Sequence, residues 1–96
     1  MIGLIAVLRV QDGKGAELES LFAELAPQVR EKEDGNLLYQ LCRTKDDPNT
    51  YKVLELYSDM DALKAHGVTE HFKAAGAKFA GILAAAPEIE MLDAVA

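Results

Sequence analysis

The chain contains no tryptophan and a single cysteine, and its aromatic side chains are limited to three tyrosines and three phenylalanines. One cysteine cannot form an intramolecular disulfide bond, and Cys42 lies in an apolar run, so we expect a packed thiol rather than a nucleophile. With so few rings, the core must be built mainly from Leu, Ala, Val and Ile. A domain of 96 residues buries only about 60–65% of the surface that its unfolded chain exposes, so this core is thin.

Positive charge is also scarce. Ten Lys and Arg residues stand against sixteen Asp and Glu residues, which gives a net charge of −6 and an isoelectric point near 4.8. Binding to DNA or RNA relies on clustered Lys and Arg side chains, and the sequence has no such cluster. A nucleic-acid partner is therefore not expected.

Long hydrophobic runs are missing as well. The apolar segment MIGLIAVL ends at Arg9 and has no basic residues before it, which predicts a strand rather than a signal peptide or a membrane span. The sequence also lacks a Gly-rich phosphate loop, a nucleophile elbow and a Cys pair. We therefore expect a cytoplasmic protein without a membrane or nucleotide partner, whose chemistry would use substrate, oxygen and side chains.

Hydrophobic periodicity predicts the element order β-α-β-β-α-β. The first helix starts at Lys14, carries one apolar stripe, should be kinked by Pro27 and should end at Gly35. A segment similar to a capping box opens a short helix at Ser58, and Thr69 should cap a second helical segment that continues to Pro87. The strands are predicted at residues 2–10, 37–44, 51–58 and 88–95.

This order is the split unit of an α+β, ferredoxin-like fold, with two helices on one face of a four-stranded antiparallel sheet. We expect residues 1–96 to form a single domain. The second face of the sheet is apolar and has no cover within the chain, so it should be buried against a second copy in a homodimer.

Several polar side chains that could form a site lie close together in sequence between residues 51 and 72. Glu55 lies on a strand among apolar neighbours, where it is either a solvent-facing carboxylate or a partner that fixes the tautomer of an imidazole. His66 precedes Gly67 at the end of a short helix, where a solvent-exposed role and a functional role are both open.

The two histidines do not have the spacing of metal ligands. His66 and His71 are five residues apart, about 140° around a continuous helix, and no suitable third ligand follows. We therefore expect no metal site, with His71 at the pocket mouth or in solvent. Tyr39, Tyr51 and Tyr57 are typical sheet-packing residues, unless two of them point into one cavity with His66.

The chain resembles the antibiotic biosynthesis monooxygenase family, especially its small quinol-monooxygenase-like members. The resemblance spans nearly the whole chain and is concentrated in three blocks, 33–39, Asp47-Pro48 and 51–72. In the last block the residues that match are Glu55, Tyr57, Asp59, Ala62, Leu63, His66, Thr69, His71 and Phe72.

The resemblance implies a dimeric α/β barrel in which each subunit holds a pocket between its sheet and its helices. In such proteins an electron-rich phenol or hydroquinone reacts with O2 without metal or flavin. Carried onto this chain, His66 would accept the phenolic proton or hold the ring oxygen, and Glu55 would orient it. The implied substrate contacts are Asn36, Tyr39, Tyr57 and His71, with Phe72 in the apolar wall.

Three departures from the family pattern argue against haem. Haem-degrading relatives use an Asn in the first strand, a Trp and a later His ligand, whereas this chain has no Asn between Ile2 and Val10, no Trp, and Gly76 at the ligand position. No cofactor is therefore expected. The scarcity of aromatic residues also disfavours a large flat substrate.

Three functions remain open at this level. The first is a monooxygenase acting on a small quinol or phenol with O2. The second is an isomerase that moves protons in a small carbonyl compound with the same Glu55 and His66 pair. The third is a non-catalytic dimeric module for ligand binding or stress response.

Overall fold

The structure, a computed structural model, describes all residues from Met1 to Ala96 and contains four strands and three helices. The strands are β1 (Ile2–Arg9), β2 (Asn36–Arg43), β3 (Thr50–Tyr57) and β4 (Glu88–Asp93). The helices are α1 (Gly15–Lys32), α2 (Met60–Gly67) and α3 (Glu70–Phe79). None of these helices is long and apolar enough to cross a membrane.

The strands form one antiparallel sheet in the order β2-β3-β1-β4. This is the ferredoxin-like arrangement that the element order predicts, with β3 between β1 and β2 and with β1 between β3 and β4. The predicted α+β fold class is confirmed.

The two faces of the sheet differ in cover. The helix-facing side chains of β1 are Leu4, Ala6 and Leu8, which pack with the apolar stripe of α1 into one core. On β3 alternate side chains point to this side, and Tyr51, Val53, Glu55 and Tyr57 are all buried there. No element of the chain covers the opposite face.

The last helix, α3, ends earlier than the sequence predicted. The periodicity predicted a helix as far as Pro87, but α3 stops at Phe79. The chain then turns back, and the N–H of Ala84 donates to the carbonyl of Arg9 while Leu83 pairs with Val10. Pairing with the end of β1 satisfies these backbone groups, which outweighs the helical pattern of the side chains.

The predicted cap of α2 needs correction. Asp59, rather than Ser58, caps α2, because its carboxylate accepts from the N–H of Ala62 at 2.8 Å. Pro27 lies within α1, which continues to Lys32. The Thr69 cap of α3 is present, with its hydroxyl accepting from the N–H of Phe72.

Candidate active site

A cavity of about 280 Å³ lies between the sheet and the helices. Its wall is almost entirely apolar. The polar exceptions are Tyr39, Glu55 and His66, which come from β2, β3 and α2. The apolar lining comes from all three helices, from β1, β3 and β4, and from Pro87: Leu4, Ala6, Leu8, Phe22, Val53, Leu63, Gly67, Phe72, Phe79, Pro87 and Ile89.

His66 occupies the last turn of α2 and is only 5% exposed. Its ring lies 4.5 Å from that of Phe72, and the rings of Tyr39 and Tyr57 lie 5.4 and 5.6 Å away. The hydroxyl of Thr69 donates to the carbonyl of His66 at 2.9 Å, which ties the end of α2 to the start of α3. The imidazole is therefore held on several sides before any substrate arrives.

The carboxylate that contacts His66 is Glu33, not the Glu55 that the sequence suggested. Nδ1 of His66 lies 2.8 Å from Oε1 and 3.0 Å from Oε2 of Glu33. Nε2 of His71 lies 2.5 Å from Oε2 of the same carboxylate. All three side chains are 6–7% exposed, so one buried carboxylate bridges both imidazoles of the chain.

The turn after α1 explains how Glu33 reaches the imidazoles. Glu33 follows the last residue of α1, and its N–H donates to the carbonyl of Val29. Two residues later, a Cβ on Gly35 would lie 2.4 Å from the Cβ of Ala62 in α2. Only glycine allows this approach, so Gly35 serves close packing. The sequence predicted that it ends α1, but it does not, because the helix already stops at Lys32.

The Glu33 contacts decide which nitrogen of His66 is free. An ionised carboxylate only accepts hydrogen bonds, so Nδ1 of His66 and Nε2 of His71 carry the protons. Every side-chain nitrogen or oxygen that is shut off from solvent has a partner. Nε2 of His66 has none within the chain, so it is accessible and keeps an unshared electron pair when the ring is neutral. Burial lowers the pKa of His66, while the charge and hydrogen bonds of Glu33 act in the opposite direction.

Glu55 is the second titratable group on the cavity wall. Its Oε1 accepts a 2.6 Å hydrogen bond from the hydroxyl of Tyr57, and its other oxygen has no partner in the chain. Burial raises the pKa of the Glu55 carboxyl from 4.5 to about 7, with Tyr57 opposing the rise and the charge of Glu33 adding to it. Glu55 can therefore gain or lose a proton near neutral pH.

Tyr39 supplies a phenol to the same wall. Its hydroxyl has no hydrogen-bond partner within the chain, although the side chain is almost fully buried. Burial, with the charges of Glu55 and Glu33, raises the pKa of Tyr39 far above its usual range. The group stays protonated, so it can donate to an oxygen atom in the cavity.

The structure does not bring every predicted site residue to the cavity. Phe72 lines it as expected. Tyr57 lies behind Glu55 and contacts the ring of His66 without lining the cavity. Asn36 uses its amide to donate to the carbonyl of Leu38, and His71 lines a separate recess between α1 and α3.

The structure shows neither a metal-binding cluster nor a cysteine at the cavity. No group of three or more His, Cys, Asp or Glu side chains converges so that it could hold a metal ion. Cys42 lies on the sheet face opposite the cavity, since it pairs with Lys52 between the helix-facing positions.

Glu33 is the site residue that the sequence reasoning missed. It belongs to a block that carries the family resemblance, but the resemblance implies no site role for it. One signal was available: a carboxylate just after the end of α1 faces the negative end of the helix dipole, where cations are preferred. Such a residue needs a compensating partner, which here is a pair of imidazoles.

Comparisons with known proteins agree on one family. Residues 1–78 match the sequence profile of the family described as antibiotic biosynthesis monooxygenase. The Bacillus subtilis protein named "Putative monooxygenase YcnE" is 35% identical over 85 residues, which are 88% of each chain.

Solved structures give the same result. A crystal structure described as "a putative antibiotic biosynthesis monooxygenase" from Caulobacter crescentus is 55% identical, with a TM-score of 0.94 over 99% of this chain and 90% of that one. A Pseudomonas aeruginosa protein is 28% identical, with a TM-score of 0.88 over 99% of this chain and 94% of that one.

Proposed function

Because this chain belongs to the antibiotic biosynthesis monooxygenase family, we propose that it oxidises a small quinol or phenol with O2, without a metal or flavin. One observation carries the proposal. His66 lines an apolar cavity and has an Nε2 without a partner in the chain, while Glu33 holds its Nδ1. This is the arrangement of a general base next to a water-poor pocket.

In the proposed reaction the substrate hydroxyl binds at Nε2 of His66 and transfers its proton there. Glu33 stabilises the resulting imidazolium, as carboxylates that orient catalytic histidines do. A positioned base of this kind contributes about 10²–10⁴-fold to the rate. The electron-rich phenolate then passes one electron to O2, and the two radicals combine into a peroxide anion at a ring carbon. This anion takes the proton back from His66 to become a hydroperoxide.

Water must leave in the second half of the reaction. The ring hydroperoxide loses its ring hydrogen as a proton, the O–O bond breaks, and the departing hydroxide takes a proton to become water. A phenol and O2 thus give a quinone and water, with one oxygen atom of O2 retained in the product. Glu55 is the proposed proton donor for this step, because it titrates near neutral pH on the same wall.

The cavity suits a substrate with a single ring. Drug-sized ligands occupy pockets of about 300–1,000 Å³, and this cavity of about 280 Å³ lies just below that range. Tyr39 would donate to a second ring oxygen, and Phe72 would contact the ring face. These roles favour a compact hydroquinone or phenol.

The test measures oxygen uptake with a panel of one-ring quinols and phenols. His66→Ala should lose about 10²–10⁴-fold in kcat, while Lys64→Ala, which changes an exposed side chain on the same helix, should match the wild type. Full activity in a folded His66→Ala variant would remove His66 from the mechanism.

A second candidate is an isomerase for a small carbonyl compound. It is favoured by the two proton-carrying groups, Glu55 and His66, on one cavity wall. Such an enzyme would turn over under nitrogen and exchange a substrate C–H with solvent deuterium, whereas the oxygenase would stop without O2. Binding of small phenols without turnover under either condition would indicate a non-catalytic module.

We also propose a homodimer formed through the open face of the sheet. One row across that face consists of Leu38, Leu56, Gly3 and Leu92, which are direct neighbours on adjacent strands. Leu38 and Leu92 are 44% and 42% exposed in the single chain. A second copy would remove this apolar row from water.

A further inference from the structure

We infer that His71 is a positioning residue for His66: it holds Glu33 in place and so helps to keep Nε2 of His66 a free base. The inference rests on the proposed role of His66 as that base. It concerns a residue outside the cavity, with no direct contact to substrate.

The geometry places His71 at the outer end of a three-group chain. Its Nε2 holds one oxygen of Glu33 at 2.5 Å, while Nδ1 of His66 holds the other at 2.8 Å. With both oxygens engaged, the carboxylate cannot rotate without losing a hydrogen bond. The tautomer of His66 therefore depends on a contact that His71 helps to maintain.

His71 faces different surroundings from His66. It lines a recess of about 90 Å³ between α1 and α3, together with Glu24 and Lys78. His66 faces Tyr39, Glu55 and Tyr57 from the sheet. A proton can therefore reach His71 from the recess without passing through the cavity.

The single negative charge of Glu33 limits how much positive charge His66 and His71 can carry together. With Glu33 ionised, one imidazolium is balanced by one carboxylate, but a second imidazolium would add an unbalanced positive charge in a buried cluster. A positive charge on either imidazole therefore opposes a positive charge on the other.

The protonation of His66 should therefore depend on His71. The ring of His66 lies against aromatic side chains, and burial lowers its pKa, while Glu33 raises it and the charge of His71 lowers it further. Burial and His71 thus both favour a neutral His66 with Nε2 unprotonated.

The test follows the imidazole nitrogens by 1H–15N spectroscopy as a function of pH. The chain has only two histidines, so a His71→Gln variant leaves His66 as the sole imidazole signal. Glutamine keeps an N–H donor for Glu33 but cannot titrate. We expect the His66 titration to move to higher pH by roughly 1 unit, with the acid limb of kcat/KM moving in the same direction.

The matched control is Lys73→Gln, which removes one positive charge from an exposed position of the same helix without a contact to Glu33. It should leave the His66 titration in place. A second variant, His71→Leu, removes the donor as well and should give His66 a mixture of both tautomers.

Two results would overturn the inference. One is an unshifted His66 titration in a folded His71→Gln variant, and the other is a His66 ring that keeps its wild-type tautomer in His71→Leu. These spectra do not depend on turnover, so they separate this inference from the proposed reaction. A shifted His66 titration in a protein that does not oxidise quinols would overturn only the proposed function.

Discussion

The hydroxyl of Tyr57 donates a 2.6 Å hydrogen bond to Oε1 of Glu55, two residues earlier on the same face of β3. Side chains at positions i and i+2 of a strand point to the same side, so the tyrosine can support its neighbour from behind. Glu55 is 9% exposed and still lines the cavity. This pair keeps a carboxylate in an apolar wall, at a cost to stability that depends on pH.

Glu55→Gln should remove a pH dependence of stability. Because the folded protein raises the pKa of Glu55 from 4.5 to about 7, it binds a proton more tightly than the unfolded chain, so stability falls as pH rises through this window. The free energy of unfolding should decrease by about 2–3 kcal/mol between pH 4.5 and pH 7.5 from this group. Urea unfolding at a series of pH values should show this decrease in the wild type and its absence in the variant.

Tyr57→Phe should destabilise the protein mainly at pH values where Glu55 is ionised. The variant keeps the ring and loses the donor, and a hydrogen bond to a charged group is worth about 1.5–3 kcal/mol. The pKa of Glu55 should rise further, since the Tyr57 bond now holds it down. Tyr39→Phe is the control, because that hydroxyl has no partner in the chain. Equal losses at pH 5 and pH 8 would contradict the expected link to ionised Glu55.

Gly35→Ala should destabilise the fold and disturb the site together. The new Cβ would lie 2.4 Å from that of Ala62, and such overpacking costs about 1–3 kcal/mol. The shift of the turn should also weaken the contact between Glu33 and His66. Thermal unfolding measures the first effect, and the imidazole 15N shifts measure the second.

The matched control is Gly76→Ala. An added Cβ at Gly76, inside α3, meets no atom within 4 Å. This variant should gain about 0.5–1 kcal/mol from the better helix propensity of alanine. A neutral Gly35→Ala variant would mean that the turn can move without cost.

Leu38→Glu combined with Leu92→Glu should convert the proposed dimer into monomers. Both side chains extend the apolar row on the open face of the sheet, and like charges placed there would repel across the interface. Met60→Glu, at an exposed site at the start of α2, should leave the assembly unchanged. Light scattering across a concentration series gives the mass in each case, and a monomeric wild type would rule out the dimer.

The strands and the starts of α1 and α3 could be predicted from local sequence because their signals are local. The alternation of Tyr51, Val53, Glu55 and Tyr57 gives the buried face of β3 directly, and Thr69 caps α3 as expected. The end of α3 could not be predicted in this way. The backbone of Ala84 bonds to Arg9, a partner that lies at the other end of the sequence.

The candidate site could likewise be predicted from the sequence only in part. The sequence by itself determined the antiparallel ferredoxin-like fold, and it marked His66, Glu55 and Phe72 as residues of interest, because spacing and local pattern carry that information. Only the tertiary structure decided that Glu33 is the partner of His66, 33 residues away, and that His71 shares the same carboxylate. The physical reason is that a hydrogen bond depends on distance in space, and the approach of Gly35 to Ala62 brings these groups together.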